Sequence, residues 1–199
     1  MLDNMELSYD RERVKAAISR NLVEVNSALL KLTAYNKLCA VGISYEEMSF
    51  FAITGQALYN DMLVNVFQVL DVHPNADSFW YVESIIPVDI RRAAKSCNAS
   101  IEQVKEFSSK FLYVRNKTPN KIVKCIIENS RDAWTHAGIS ADEFTRTLYS
   151  VANILAILKQ QFLGGELQAV TAYDGSDIQK IVAAYEKVYG KGHGVSSNR

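Results

Sequence analysis

The sequence is poor in the residues that break or staple chains. It has three prolines and nine glycines in 199 residues, so it carries little punctuation and long uninterrupted elements are expected. It has three cysteines, Cys39, Cys97 and Cys125, with no CxxC pair. That spacing offers neither a disulfide framework nor a zinc site, and buried free thiols in a reducing compartment are the plain reading. It has no net charge, since Lys+Arg and Asp+Glu are both 22. No global field therefore steers it to nucleic acid, and any anion site must be a local patch. No apolar run approaches the ~20 residues of a membrane span. The start, MLDNMELSYDRER, is acidic and polar and lacks the apolar core of a signal peptide. The expectation is a cytoplasmic protein with no membrane contact.

Motifs are equally sparse. There is no GxGxxG or P-loop pattern, no HExxH, and no carboxylate–histidine pair at helical ligand spacing, so no cofactor and no metal is expected. The three histidines are His73, before a proline in a turn, His136, near a helix end, and His193, near the C-terminus. For each, an exposed or packed imidazole is the simpler reading than a catalytic one.

What is present is helical periodicity. Val14, Ile18, Leu22, Val25, Leu29 and Leu32 step by four and three, which predicts an amphipathic helix over about residues 10–40. Ser44 with Glu47 forms a capping-box pattern that opens a second helix to about Leu70. That helix is apolar over more than one face, which predicts a central place in the bundle. DSFWYVESI reads as a short helix, and Pro87 starts another through Arg91, Arg92 and Lys95, a solvated basic face. Ser100 caps a helix from Ile101 to about Lys117, and Thr118-Pro119 opens the next. Ser140 with Glu143 and Ser176 with Gln179 make further capping-box patterns. Between these last two, Phe144, Leu148, Val151, Leu155, Leu158 and Phe162 form a 4-3-4-3-4 seam that suits either core or a subunit interface. The fold class is all-α: a helical bundle of four to five long helices plus short helices, one domain over 1–189, with a flexible tail at 190–199.

One stretch carries chemistry. YVRNKTPNKIVK, residues 113–124, holds one arginine and three lysines around a proline. At 100° per residue, Arg115 lies about 40° from Phe111 and about 20° from Val104 around its helix, on the apolar side. Lys117 lies about 200° away, toward solvent. An inward arginine needs a carboxylate or a cleft, because an unpaired buried charge is costly. Asp61, on the most apolar helix, is the expected structural polar partner. The two form either a structural ion pair or a polar site inside the bundle, the former being the simpler. Glu106 and Lys110 read as a surface i,i+4 pair.

Taken in order, FFAITGQALYNDMLVNVFQVLD, ADSFWYVESI, the turn Arg115-Asn116-Lys117-Thr118 and DAWTHAGISADEF resemble the HEPN superfamily of helical domains, in its abortive-infection U-protein-like branch. The resemblance spans about Leu22 to Phe162. It implies a homodimer, related to metal-independent endoribonucleases of toxin–antitoxin and phage-defence systems, with a cognate antitoxin or other protein as a partner. In active relatives an arginine holds the scissile phosphate, and a histidine four to six residues later moves the proton. Here Arg115 matches, but Pro119 and Lys121 stand where the histidines belong. The resulting expectation is a catalytically degenerate, RNase-like binding protein rather than an enzyme. Arg115, Lys121 and Lys124 would bind RNA or nucleotide phosphate, and Arg115 would be the vestigial catalytic residue. One alternative is an active endoribonuclease using Arg115 with Lys121 or His136. Another is a structural interaction protein with no nucleic-acid ligand.

Overall fold

The structure is a computed structural model that describes residues 2–40, 49–73, 75–117, 130–167 and 173–189. The expected Ser44 and Thr118-Pro119 caps, the helix after the latter, and the tail lie outside those residues. Eight helices are described, with no strand among these residues: α1 (Leu2–Ala40), α2 (Ser49–Val69), α3 (Phe79–Ile85), α4 (Pro87–Ser96), α5 (Ile101–Lys117), α6 (Ser130–Ala137), α7 (Ala141–Leu163) and α8 (Ser176–Tyr189).

α1 buries Val14, Ala17, Ile18, Leu22, Val25, Ala28 and Leu29, a stripe that repeats every three or four residues. It packs chiefly on α2 and α7. Its contacts with α2 run in opposite senses along the two chains. Tyr35 lies beside Tyr59, Lys31 meets Asp61, and Arg13 meets Asp77 just beyond α2, so the two helices are antiparallel.

The 144–162 seam belongs to the chain's own core. Phe144, Leu148, Val151, Leu155 and Leu158 are buried and Phe162 is half-buried. Ala152, Ile154 and Ala156 are buried beside them, so α7 is covered on more than one side. α2 is less central than its composition suggests. Met62, Leu63, Val66, Val69 and Leu70 enter the core, but Ile53 is 68% exposed and Val64 45%. The apolar surplus of α2 lies on a face that no described element covers.

Aromatic rings join the second half of the chain to the first. Phe107 and Phe111 of α5 lie 5.4 Å apart, and Phe67 of α2 stacks on Phe111 at 4.8 Å. Phe144 and Trp134 complete the group, 5.6 Å from one another. Truncating a fully buried ring such as Phe107 would cost about 3–5 kcal/mol.

The short helices have local causes. Ser78 caps α3 by accepting the Tyr81 N–H, and Pro87 sits in the first turn of α4, where its missing N–H costs nothing. α4 ends with Asn98 at φ 54°, while the Ala99 and Asn98 N–H groups donate to the Ala94 and Lys95 carbonyls. This is the Schellman closure that asparagine tolerates. Two capping boxes form differently from the sequence pattern. Ser140 accepts the Glu143 N–H, but the Glu143 carboxylate accepts from Lys110 instead of closing back. At α8 the Ser176 N–H donates to Asp174, so an aspartate two residues upstream does the capping. Gly175, at φ 67°, presses on the Lys37 side chain, where a Cβ would come within 2.5 Å of Cγ.

Candidate functional site

The loop after α2 is built before any site is. Asn21, 1% exposed inside α1, donates to the carbonyls of Ala17 and Asp77. The Asp77 carboxylate takes Arg13 Nε at 2.7 Å and lies 3.6 Å from Arg20. Ser78 Oγ donates to the Asp71 carbonyl at 2.6 Å. Asp77 is thereby tied to α1, and Asp71 to the start of α3.

That loop presents Asp71 to the C-terminal turn of α5. Arg115 Nη1 lies 3.2 Å from Asp71 Oδ1, and its guanidinium carbon sits 5.9 Å from the centre of the Phe67 ring. Arg115 is half-buried, with 35% of its side chain exposed, whereas Lys117 is exposed and lies over Tyr113, as the helical angles require. The same Asp71 Oδ1 accepts the His73 N–H at 2.9 Å. Partial burial pushes the Asp71 carboxyl up, but the His73 N–H and the Arg115 guanidinium together outweigh it. Asp71 therefore sits below its ordinary range.

His73 is exposed, and its Nδ1 accepts the Asn75 N–H at 3.2 Å. Arg115, Asp71 and His73 thus meet at one carboxylate oxygen. Among the described residues Arg115 has no second acidic partner, so further N–H donors of its planar fork remain for a ligand.

Asp61 is not the partner of Arg115. It pairs with Lys31 Nζ at 2.5 Å, and Lys31 also donates to Asn65 Oδ1 at 2.6 Å. Asn65 in turn donates to Glu24. Asp71 stands about 15 Å further along α2 than Asp61 at 1.5 Å per residue, and the end of α5 meets that later point. Nothing in the periodicity of α2 singles out Asp71, because it lies just past the last helical turn. Its one sequence signal is its place two residues before His73, at the entry to the turn that holds that histidine.

The remaining candidates separate. Lys121 and Lys124 lie outside the described residues, as do Pro119 and Cys125. His136 is exposed on α6, two residues after Trp134, which packs on Phe111 at 5.9 Å. Arg91, Arg92 and Lys95 are exposed, and Arg92 pairs with Asp89 on its own helix. Lys110 bridges Glu106 at 2.9 Å and Glu143 at 3.0 Å, so it ties α5 to α7 rather than decorating one surface. Those hydrogen bonds, to Glu106 first and then Glu143, raise its pKa. Among the described residues no group of three His, Cys, Asp or Glu is placed to hold a metal ion, and no helix is long and apolar enough to cross a membrane. No family model matches the sequence, and no curated protein or solved structure matches it.

Proposed function

We propose that this chain is a HEPN-like helical domain that holds an RNA or nucleotide phosphate at Arg115, as a dimeric, nuclease-degenerate relative of defence and toxin RNases. One observation carries the reading: Arg115 is partly exposed at a helix end and, among the described residues, is engaged by a single carboxylate oxygen at 3.2 Å. A phosphate can take the other donors of the guanidinium in the fork geometry that arginine favours. The test is a gel shift of the purified chain with total RNA in EDTA, across a salt series. Wild type should shift RNA with an affinity that falls as salt rises, and Arg115→Ala should weaken it. An equal shift by the variant would sink the assignment to Arg115. No shift at any salt would leave a structural interaction protein as the reading that stands. A chain that runs as a monomer at micromolar concentration would count against the dimer.

A second reading has its own support. The active alternative calls for an imidazole near the arginine, and His73 is the histidine whose backbone N–H shares Asp71 Oδ1 with Arg115. In that reading His73, rather than Lys121 or His136, takes the proton from a ribose 2′-hydroxyl. The 2′-oxygen attacks phosphorus, the P–O5′ bond breaks, and the proton is passed to the departing 5′-oxygen. The products are a 2′,3′-cyclic phosphate and a 5′-hydroxyl, with Arg115 stabilising the charge on the phosphorane. Metal-free cleavage by wild type that His73→Ala loses while still shifting RNA would establish it. Intact RNA after long incubation would leave binding alone.

A further inference from the structure

The Arg115–Asp71 pair offers a ligand more than a cation. Asp71 Oδ1 is taken, since the His73 N–H donates to it at 2.9 Å and Arg115 Nη1 lies 3.2 Å away. Among the described residues nothing hydrogen-bonds the other oxygen, Oδ2. Nor is Oδ2 one of the polar atoms sealed from water without a partner. It therefore reaches the surface, in keeping with a side chain that is 21% exposed.

The loop holds that oxygen in place. Ser78 Oγ donates to the Asp71 carbonyl at 2.6 Å, and the His73 N–H pins the carboxylate from two residues on. Arg115 comes from a different element, the end of α5, with its guanidinium over the Phe67 ring. An acceptor edge and a donor fork thus lie side by side. Asp71 is held below its ordinary range, so at neutral pH it is ionised and can only accept.

Such a pair suits a bare phosphate poorly. The anion gains the guanidinium but meets a carboxylate beside it and has no proton to offer. A ligand that carries a hydroxyl next to its phosphate satisfies both halves. RNA has that arrangement at every internal nucleotide, because the 2′-hydroxyl sits on the carbon adjacent to the one that bears the 3′-phosphate. DNA brings the phosphate alone. The 2′-hydroxyl is the group by which a protein tells the two apart.

We propose that Asp71 is the residue that selects RNA over DNA, its Oδ2 accepting a hydrogen bond from a ribose 2′-hydroxyl while Arg115 holds the adjacent 3′-phosphate. The inference rests on the assignment of a phosphate to Arg115 and adds the sugar to it. Asp71 then has two roles, since the carboxylate that weakens phosphate binding in general is the one that favours a ribose.

The test compares fluorescent oligouridylates of one length, with ribose, 2′-fluoro or 2′-deoxy sugars, in EDTA at a single salt concentration. Fluorine keeps the ribose pucker and nearly the size of the hydroxyl but cannot donate. The full chain should bind the ribose oligomer about fivefold or more tightly than either of the others, as one hydrogen bond to a charged acceptor requires. Asp71→Asn should raise affinity for all of them, least for ribose, and bring them within about twofold of one another. A ribose preference that survives Asp71→Asn unchanged overturns the assignment to Asp71. Equal binding of the ribose and 2′-fluoro oligomers to wild type overturns the proposal whether or not the variant folds, and leaves the phosphate at Arg115 standing. No binding of any oligomer overturns both.

Discussion

α2 takes part in two polar junctions of opposite character. Midway along it, Asp61 and Asn65 meet Lys31 and Glu24 of α1 in a strip set between two long helices. Just past its end, Asp71 meets Arg115 and His73 across a loop. In the first junction every partner stands on a regular helix, and Asn65, 8% exposed, has both ends of its amide engaged. In the second, one carboxylate oxygen serves two donors and the arginine keeps capacity to spare. A closed strip fixes the register of two helices, whereas an open junction can exchange partners with a ligand. The charge types are the same, and the difference lies in whether neighbouring turns complete the set.

The contrast breaks most visibly at Asn65. Asn65→Ala removes the acceptor that shares Lys31 and the donor for Glu24, and should cost about 2–3 kcal/mol by chemical denaturation, with RNA retention unchanged. A loss of RNA binding at wild-type stability would merge the two junctions into one site. Next in size, Arg115→Ala should lower RNA affinity roughly tenfold while costing under about 1 kcal/mol of stability, because the pair is partly exposed. The reverse pattern would make Arg115 another structural cation. Asp71→Asn should raise RNA affinity about two- to fivefold, since a competing charge is removed while the amide oxygen still accepts the His73 N–H. Weaker binding would show that Asp71 orients the arginine rather than competing for it.

The smallest effect is in pH. The folded pKa of Asp71 is depressed, so its contribution is present above the unfolded value of about 3.9 and is lost as pH falls through the lower folded value. Asp71→Asn should therefore lower the neutral plateau slightly and flatten the acid limb, the two stability curves converging at low pH. An unchanged acid limb would mean that the Arg115 pair adds nothing measurable.

Much of the scaffold was legible because it is written in local spacing. The α1 stripe, Pro87 at the start of α4, and Ser100, whose Oγ accepts the Gln103 N–H at the start of α5, follow from one turn of helix at a time. The turn of Arg115 away from solvent followed from the same arithmetic. Its partner did not, because Asp71 and Arg115 are joined by the packing of two helix ends, which no period encodes. The same limit explains Glu143. The Ser-x-x-Glu spacing fits a capping box, but Lys110 reaches over from α5 and takes the carboxylate. Composition misled for α2, since apolar residues such as Ile53 and Val64 count toward a central helix whether or not anything covers them.

Phe111 is where four elements meet behind Arg115. Phe67, the ring beneath Arg115, stacks on it, and Trp134 and Phe144 pack against it as well. In a genetic screen, substitutions at Phe111 would therefore score as defects of the Arg115 site, although its side chain is 2% exposed and is offered to no ligand. A cross between Phe111 and Arg115 would show strong epistasis, because one ring sets the floor on which the other side chain rests.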